Sequence, residues 1–125
     1  MEAQELRIGN FIAYEPTIDD WEEIYVKPGT IIQCEISPDS FEPIPLTEKW
    51  LINFGFIHAK FSSEYWSHWV LKNGWSISLS NHTEESSGVN KGLFYWGDDY
   101  IEIKYVHQLQ NLYFALTGEE LVVKE

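Results

Sequence analysis

Cysteine occurs once, as Cys34, in a chain of 125 residues. That excludes an intramolecular disulfide and a cysteine-rich zinc site, and it suits a reducing compartment. Positive charge is also scarce. Eight Lys and Arg stand against 20 Asp and Glu, a formal net charge of −12, and such a field disfavours direct contact with nucleic-acid phosphates or an anionic membrane surface. No apolar run approaches the ~20 residues that a membrane-spanning helix requires, and Met1-Glu2-Ala3-Gln4-Glu5 shows neither the basic nor the apolar region of a secretion signal. The expected location is therefore the cytoplasm.

Motifs of catalysis are missing too. There is no Gly-x-x-x-x-Gly-Lys or Gly-x-Gly-x-x-Gly loop to cradle phosphate, and no Gly-x-Ser-x-Gly elbow to hold a nucleophile. His58, His68, His82 and His107 are scattered, without the two- to four-residue spacing of a local metal motif, so neither metal nor cofactor is expected. The doublets Asp19-Asp20, Glu22-Glu23, Glu84-Glu85, Asp98-Asp99 and Glu119-Glu120 place neighbours on opposite sides of an extended chain. They read as solvated turns rather than paired acid and base. Cys34 has no basic neighbour to lower its pKa and reads as a small buried thiol.

What the chain does have is apolar and aromatic mass: 44 % hydrophobic and 16 % aromatic residues, with six Trp. This is enough for one folded domain. The fold class expected is α+β, an antiparallel sheet of short strands with a short central helix and a C-terminal amphipathic helix. Within a single domain 1–125, a β meander spans 5–36, with strands in Leu6 to Tyr14, Glu23 to Val26 and Thr30 to Ile36. Pro38, Pro43 and Pro45 mark 37–46 as a linker.

Thr47 is positioned to cap a helix that Gly55 ends, with Leu46 and Leu51 as its staple pair. Asn73-Gly74 predicts a two-residue hairpin between Tyr65–Lys72 and Trp75–Ser80. That register sets Val70 opposite Ile77 and His68 opposite Leu79, and it puts Trp69 and Leu71 on the serine face. Asn81 to Gly92 reads as a polar loop, and Leu93–Trp96 and Tyr100–Lys104 as a second hairpin. Val106, Leu109, Leu112, Tyr113 and Leu116 form a helical stripe that Gly118 stops, leaving His107, Gln108, Gln110, Asn111 and Phe114 on a solvated face. Leu121 to Val123 reads as a last strand.

Three stretches carry a resemblance: Glu5-Leu6-Arg7-Ile8-Gly9-Asn10; Pro43-Ile44-Pro45-Leu46-Thr47-Glu48 with Trp50-Leu51 and Phe54-Gly55-Phe56; and the run from Tyr105 to Leu121. Together, over somewhat under half the chain, the sequence resembles a family of small uncharacterised proteins of Bacteroides-group bacteria and their phages and prophages. The resemblance implies a bacterial cytoplasm, including during phage infection or prophage carriage, and no activity.

Three roles follow as expectations. The first is a non-enzymatic module that binds a protein or itself through an aromatic patch with an acidic rim. Its candidates are Trp69, Leu71 and Trp21, with Trp69 and Trp21 exposed, beside Asp19, Asp20, Glu22 and Glu23 in a segment 1–48 of net charge −9. The second is an acidic decoy occupying the nucleic-acid groove of a host protein. The third is a small-molecule pocket or enzyme between the sheet and the last helix, with His68, His107 and Tyr105 as its polar groups.

Overall fold

Hydrophobic residues at every second position set the centre of the first sheet. In the computed structural model, which describes residues 1–59, 66–80, 93–97 and 99–124, strand β1 (Phe11–Thr17) lies between β2 (Asp20–Tyr25) and β3 (Phe41–Glu42), and all pairing is antiparallel. Ile12 pairs with Ile24 and Tyr14 with Phe41, so the even positions of β1 face inward. Leu6, Ile12, Val26, Cys34 and Phe41 form the buried cluster behind them. Tyr14 stacks on Phe41 with 5.0 Å between ring centroids. The turn from β1 to β2 is the pair Ile18-Asp19, where Asp19 takes a positive φ of 63°.

The meander expected over 5–36 is only partly formed. The interruption that Gly9-Asn10 signals within Leu6 to Tyr14 forms as a turn at Gly9, with the strand beginning only at Phe11, and Thr30 to Ile36 is no strand but the body of helix α1 (Pro28–Ile36). Pro28 sits in the first helical turn, where its missing donor costs nothing. The Thr30 hydroxyl accepts the Lys27 N–H at 3.2 Å. Ile32 and Ile36 are exposed while Cys34 is buried, so the β-branched residues that suggested a strand lie largely on the wet side of a helix. One-sided packing overrides their propensity. The expected linker 37–46 likewise carries structure: a 3-10 turn at Pro38–Ser40, then β3, then a bridge from Pro45 to Tyr105.

Contacts group the chain into two compact units, Met1–Pro45 with Tyr105–Leu121, and Leu46–Lys104 with Val122–Glu125. The last helix, α3 (Val106–Thr117), therefore belongs with the N-terminal strands rather than with the 47–125 remainder. The fold is α+β, with two antiparallel sheets and three α-helices among the described residues.

In the second unit the expected caps form. Thr47 Oγ1 accepts the Trp50 N–H at 3.4 Å, helix α2 spans Glu48–Asn53, Gly55 takes φ +95°, and Phe56 N donates to Leu51 O at 2.9 Å. A five-stranded sheet follows in the order β4-β5-β6-β7-β8: Ile57–His58, Trp66–Val70, Ser76–Ser80, Phe94–Trp96 and Ile101–Ile103. Asn73-Gly74 makes a turn, but not the two-residue one. Leu71 N donates to Trp75 O, Gly74 N to Leu71 O, and Gly74 takes φ +89°, giving a three-residue loop with glycine at the left-handed position.

The pairing is consequently shifted by one residue. Val70 faces Ser76, Trp69 faces Ile77, His68 faces Ser78 and Ser67 faces Leu79. A one-residue slip exchanges the two faces of a strand, so Trp69 joins Ile77, Leu79, Phe94 and Ile103 on the buried face. His68 and Trp66 take the serine face instead. The second hairpin forms as expected, with Trp96 opposite Ile101, whereas Leu121 to Val123 forms no strand. The polar stretch 81–92, with His82 and the Glu84-Glu85 pair, lies outside the described residues.

The first unit is fastened by α3, whose start at Tyr105 and stop at Gly118 (φ +75°) match the expected helix. Val106, Leu109 and Tyr113 are buried, but Leu116 is exposed. The face expected to be solvated is so only at Phe114, with Gln108 and Asn111 half-buried. His107 and Gln110 are 2 % and 0 % exposed. Gln110 Oε1 accepts the Phe11 N–H at 2.9 Å, and its Nε2 donates to Gly9 O at 2.9 Å. Asn111 Oδ1 accepts from Asn10 Nδ2 at 2.9 Å and from Arg7 Nε at 3.0 Å, while its Nδ2 donates to Glu5 O at 3.1 Å. Arg7 also grips Glu120 through two bonds of 3.0 and 3.1 Å and lies 4.2 Å over the Phe114 ring.

Replacing Gln110 by Leu keeps the bulk but strands a buried carbonyl and an amide donor, which should cost about 2–4 kcal/mol of folding free energy in urea titrations. A loss below about 1 kcal/mol would mean that water substitutes for the amide.

Candidate functional site

Four of the residues singled out by charge and ring size, Asp20, Trp21, Glu22 and Glu23, lie on β2, and Asp19 lies in the turn before it. The strand is an outer strand of its sheet, bonded to β1 on one side, and every residue from Asp20 to Tyr25 is exposed except the half-buried Ile24. Pleating puts Asp20, Glu22 and Ile24 on one face and Trp21, Glu23 and Tyr25 on the other. Tyr25 lies edge-on to Phe11 at 5.5 Å. With Glu15 and Asp19 the hairpin carries five carboxylates, and no Lys or Arg occurs between Arg7 and Lys27. Ile18 at the tip is 89 % exposed, Trp21 38 % and Tyr25 49 %. The outcome is a strand edge that no strand among the described residues pairs with, negative along its length, with an apolar tip and two rings on one side.

The other aromatic candidates are corrected. Trp69 is buried at 6 % exposure and Leu71 is half-buried beside the turn, because the three-residue loop turns both toward the apolar face. The patch expected there does not exist. Exposure of Trp21 is as expected.

The serine face of the five-stranded sheet holds a cleft of about 340 Å³ lined by Trp66, His68, Ser78, Tyr95, Gly97 and Tyr100. His68, Ser78 and Tyr95 stand in one row across β5, β6 and β7. His68 Nδ1 and Ser78 Oγ are 2.9 Å apart. Trp66 and Tyr100 stack nearly parallel, 5.6 Å and 16°, and Tyr95 stands perpendicular to both, at 5.9 Å and 83° and at 6.4 Å and 84°. Only His68 of these was expected at a site. Trp66, Tyr95 and Tyr100 become neighbours through pairing over three strands, for which spacing along the chain gives no signal.

Of the other two polar candidates, His107 and Tyr105, neither belongs to the unit that holds His68. Those two lie in the first unit, with rings stacked at 6.0 Å. His107 lines a second recess of about 310 Å³ with Glu5, Gln108 and Asn111. Its Nε2 is 3.5 Å from Glu5 Oε1, and its Nδ1 is buried with no hydrogen-bond partner. Burial pushes the imidazole below its ordinary pKa, against a smaller upward pull from the Glu5 carboxylate. Of the buried network of Gln110, Asn10, Asn111 and Arg7, the two helix amides Gln110 and Asn111 read from sequence as solvated, although Gln110 lies four residues after Val106 and three before Tyr113, within the apolar stripe.

Cys34 is the expected buried thiol, donating to Met1 O at 3.4 Å, with its pKa raised by burial. Among the described residues no group of three or more His, Cys, Asp or Glu could hold a metal ion, and no helix is long and apolar enough to cross a membrane. Compared with known proteins, the chain matches no family model, no curated protein and no solved structure.

The buried His107 gives stability a defined pH dependence. Its folded-state pKa lies below that of the unfolded chain, so the unfolded state alone takes up a proton as the pH falls below about 6.5. The His107 contribution is complete above that value and declines on acidification until the folded-state pKa is passed. His107→Gln removes this part of the decline, so urea midpoints of wild type and variant should converge between about pH 7.5 and about pH 5. Parallel curves would show that His107 keeps its ordinary pKa in the folded protein.

Proposed function

We propose that this chain is a non-enzymatic binding module that captures an extended, basic segment of a partner protein along β2. The edge of that strand that no described strand pairs with carries the reading, because it exposes a row of backbone donors and acceptors that an extended peptide can pair with. Main-chain bonds would supply affinity, while Trp21, Tyr25 and Ile18 offer apolar anchorage and the five carboxylates select for Lys and Arg. The same carboxylates disfavour pairing between two copies of the chain, since like charges would face each other across the new ladder. A partner is therefore favoured over self-association. The suggested phage or prophage setting fits a small accessory protein of this kind acting on a host protein.

The absence of any cation between Arg7 and Lys27 favours one second reading, in which the same edge occupies the nucleic-acid groove of its partner. Displacement of a bound partner by duplex DNA would distinguish that mode.

Titration with a peptide of alternating Lys and Val, followed by backbone NMR, tests the binding edge. We expect shifts confined to β2 and the Ile18-Asp19 turn, weakening with added salt. Trp21→Ala should weaken binding about tenfold, and the triple reversal Asp20→Lys, Glu22→Lys, Glu23→Lys should abolish it. All four positions are exposed, so the fold should survive. Affinity unchanged by the reversal, or shifts away from β2, would defeat the proposal.

A further inference from the structure

The geometry points to the aromatic cleft of the five-stranded sheet as a site for a small, unphosphorylated planar heterocycle, a ligand of nucleobase or nucleoside type. It lies in the second unit and is independent of the β2 edge. Its volume of about 340 Å³ sits at the lower end of ligand pockets, which suits one ring system with at most a sugar attached.

The floor is a row of groups able to hydrogen-bond. His68, Ser78 and Tyr95 lie directly across from one another on three adjacent strands. Strands are spaced about 4.8 Å apart, so the outer two members of the row stand about 10 Å apart with only the small Ser78 between them. The imidazole leans on that serine, with His68 Nδ1 2.9 Å from Ser78 Oγ, so the two form one joined polar edge next to the buried Tyr95. The wall is already a stack: Trp66 and Tyr100 lie 16° from parallel, and Tyr95 turns its plane 83° and 84° away from them. A ring added beside such a wall gains stacking, while its polar edge meets Ser78 and His68.

The backbone supplies a separate pointer. Tyr100 takes φ +53°, one of two non-glycine residues at positive φ among those described, and for a bulky side chain this is an outlier. Strain of this kind collects where a side chain is held for use. Here it holds the ring that completes the wall, in a turn where glycine would be relaxed. Charge then narrows the ligand. Asp99 precedes Tyr100 in the turn and Glu102 pairs with Tyr95, in a chain of net charge −12, so a phosphate at this cleft would be repelled.

The test is a titration of the full chain with adenosine, guanosine, cytidine and uridine, and with their 5′-monophosphates and free ribose, reading the indole and backbone NMR signals. At least one nucleoside should shift Trp66, Ser78 and Tyr95 saturably, its monophosphate should bind more weakly, and ribose should not bind. Trp66→Ala and Tyr100→Gly should each weaken binding about tenfold. Glycine suits φ +53°, so Tyr100→Gly removes the ring without endangering the fold. The inference is overturned if no nucleoside gives saturable shifts at the cleft. Tighter binding of the monophosphate, equal binding of ribose, or unchanged affinity in Tyr100→Gly would overturn it as well.

Discussion

A single side-chain amide carries the architecture of the first unit. Gln110 reaches from α3 to the point where the chain leaves the Gly9 turn and enters β1, accepting from one backbone group and donating to another. It does for the start of β1 what a neighbouring strand would do, and it does so in a fully buried position. The ladder continues directly from there, with Gly9 N bonded to Val26 O and Val26 N to Asn10 O. β2 and β3 both pair with β1, so the pose of the acidic edge depends on an amide that it never touches. Such a contact is demanding because a buried polar network stabilises only when every member is satisfied. Asn10, Asn111 and Arg7 complete this one.

Features written in short stretches of sequence were legible. Thr47 and Gly55 bound α2 because a cap needs only one hydroxyl and one residue free to take positive φ, and Gly118 ends α3 in the same way. Features decided by competition between distant groups were not. Thr30, Ile31 and Ile32 carry strand propensity, yet Cys34 finds the core only if the backbone coils. The polarity of Gln110 points to solvent, whereas its place in the helical stripe determines its burial.

The candidate sites divide along the same line. The acidity of β2 could be anticipated because charge density is a property of the sequence itself, although Asp20, Glu22 and Glu23 lie in a strand and not in the solvated turns expected. The openness of its edge could not, since that depends on which strand ends up outermost. The aromatic cleft was nearly invisible. Trp66, Ser78 and the Tyr95/Tyr100 hairpin are separated in sequence and become neighbours only through the strand order and the pairing register of the second sheet.

That register rests on three residues, Lys72, Asn73 and Gly74. Loop length is a discrete variable, so it can be changed only by whole residues, and each unit of change swaps inside for outside along β5. Trp69 would be delivered to water and His68 to the apolar layer by a single deletion, with no side chain altered. A lineage could therefore substitute freely at many positions of this hairpin while remaining almost unable to shorten it. Gradual divergence in composition and abrupt intolerance of indels would be the evolutionary imprint of this turn.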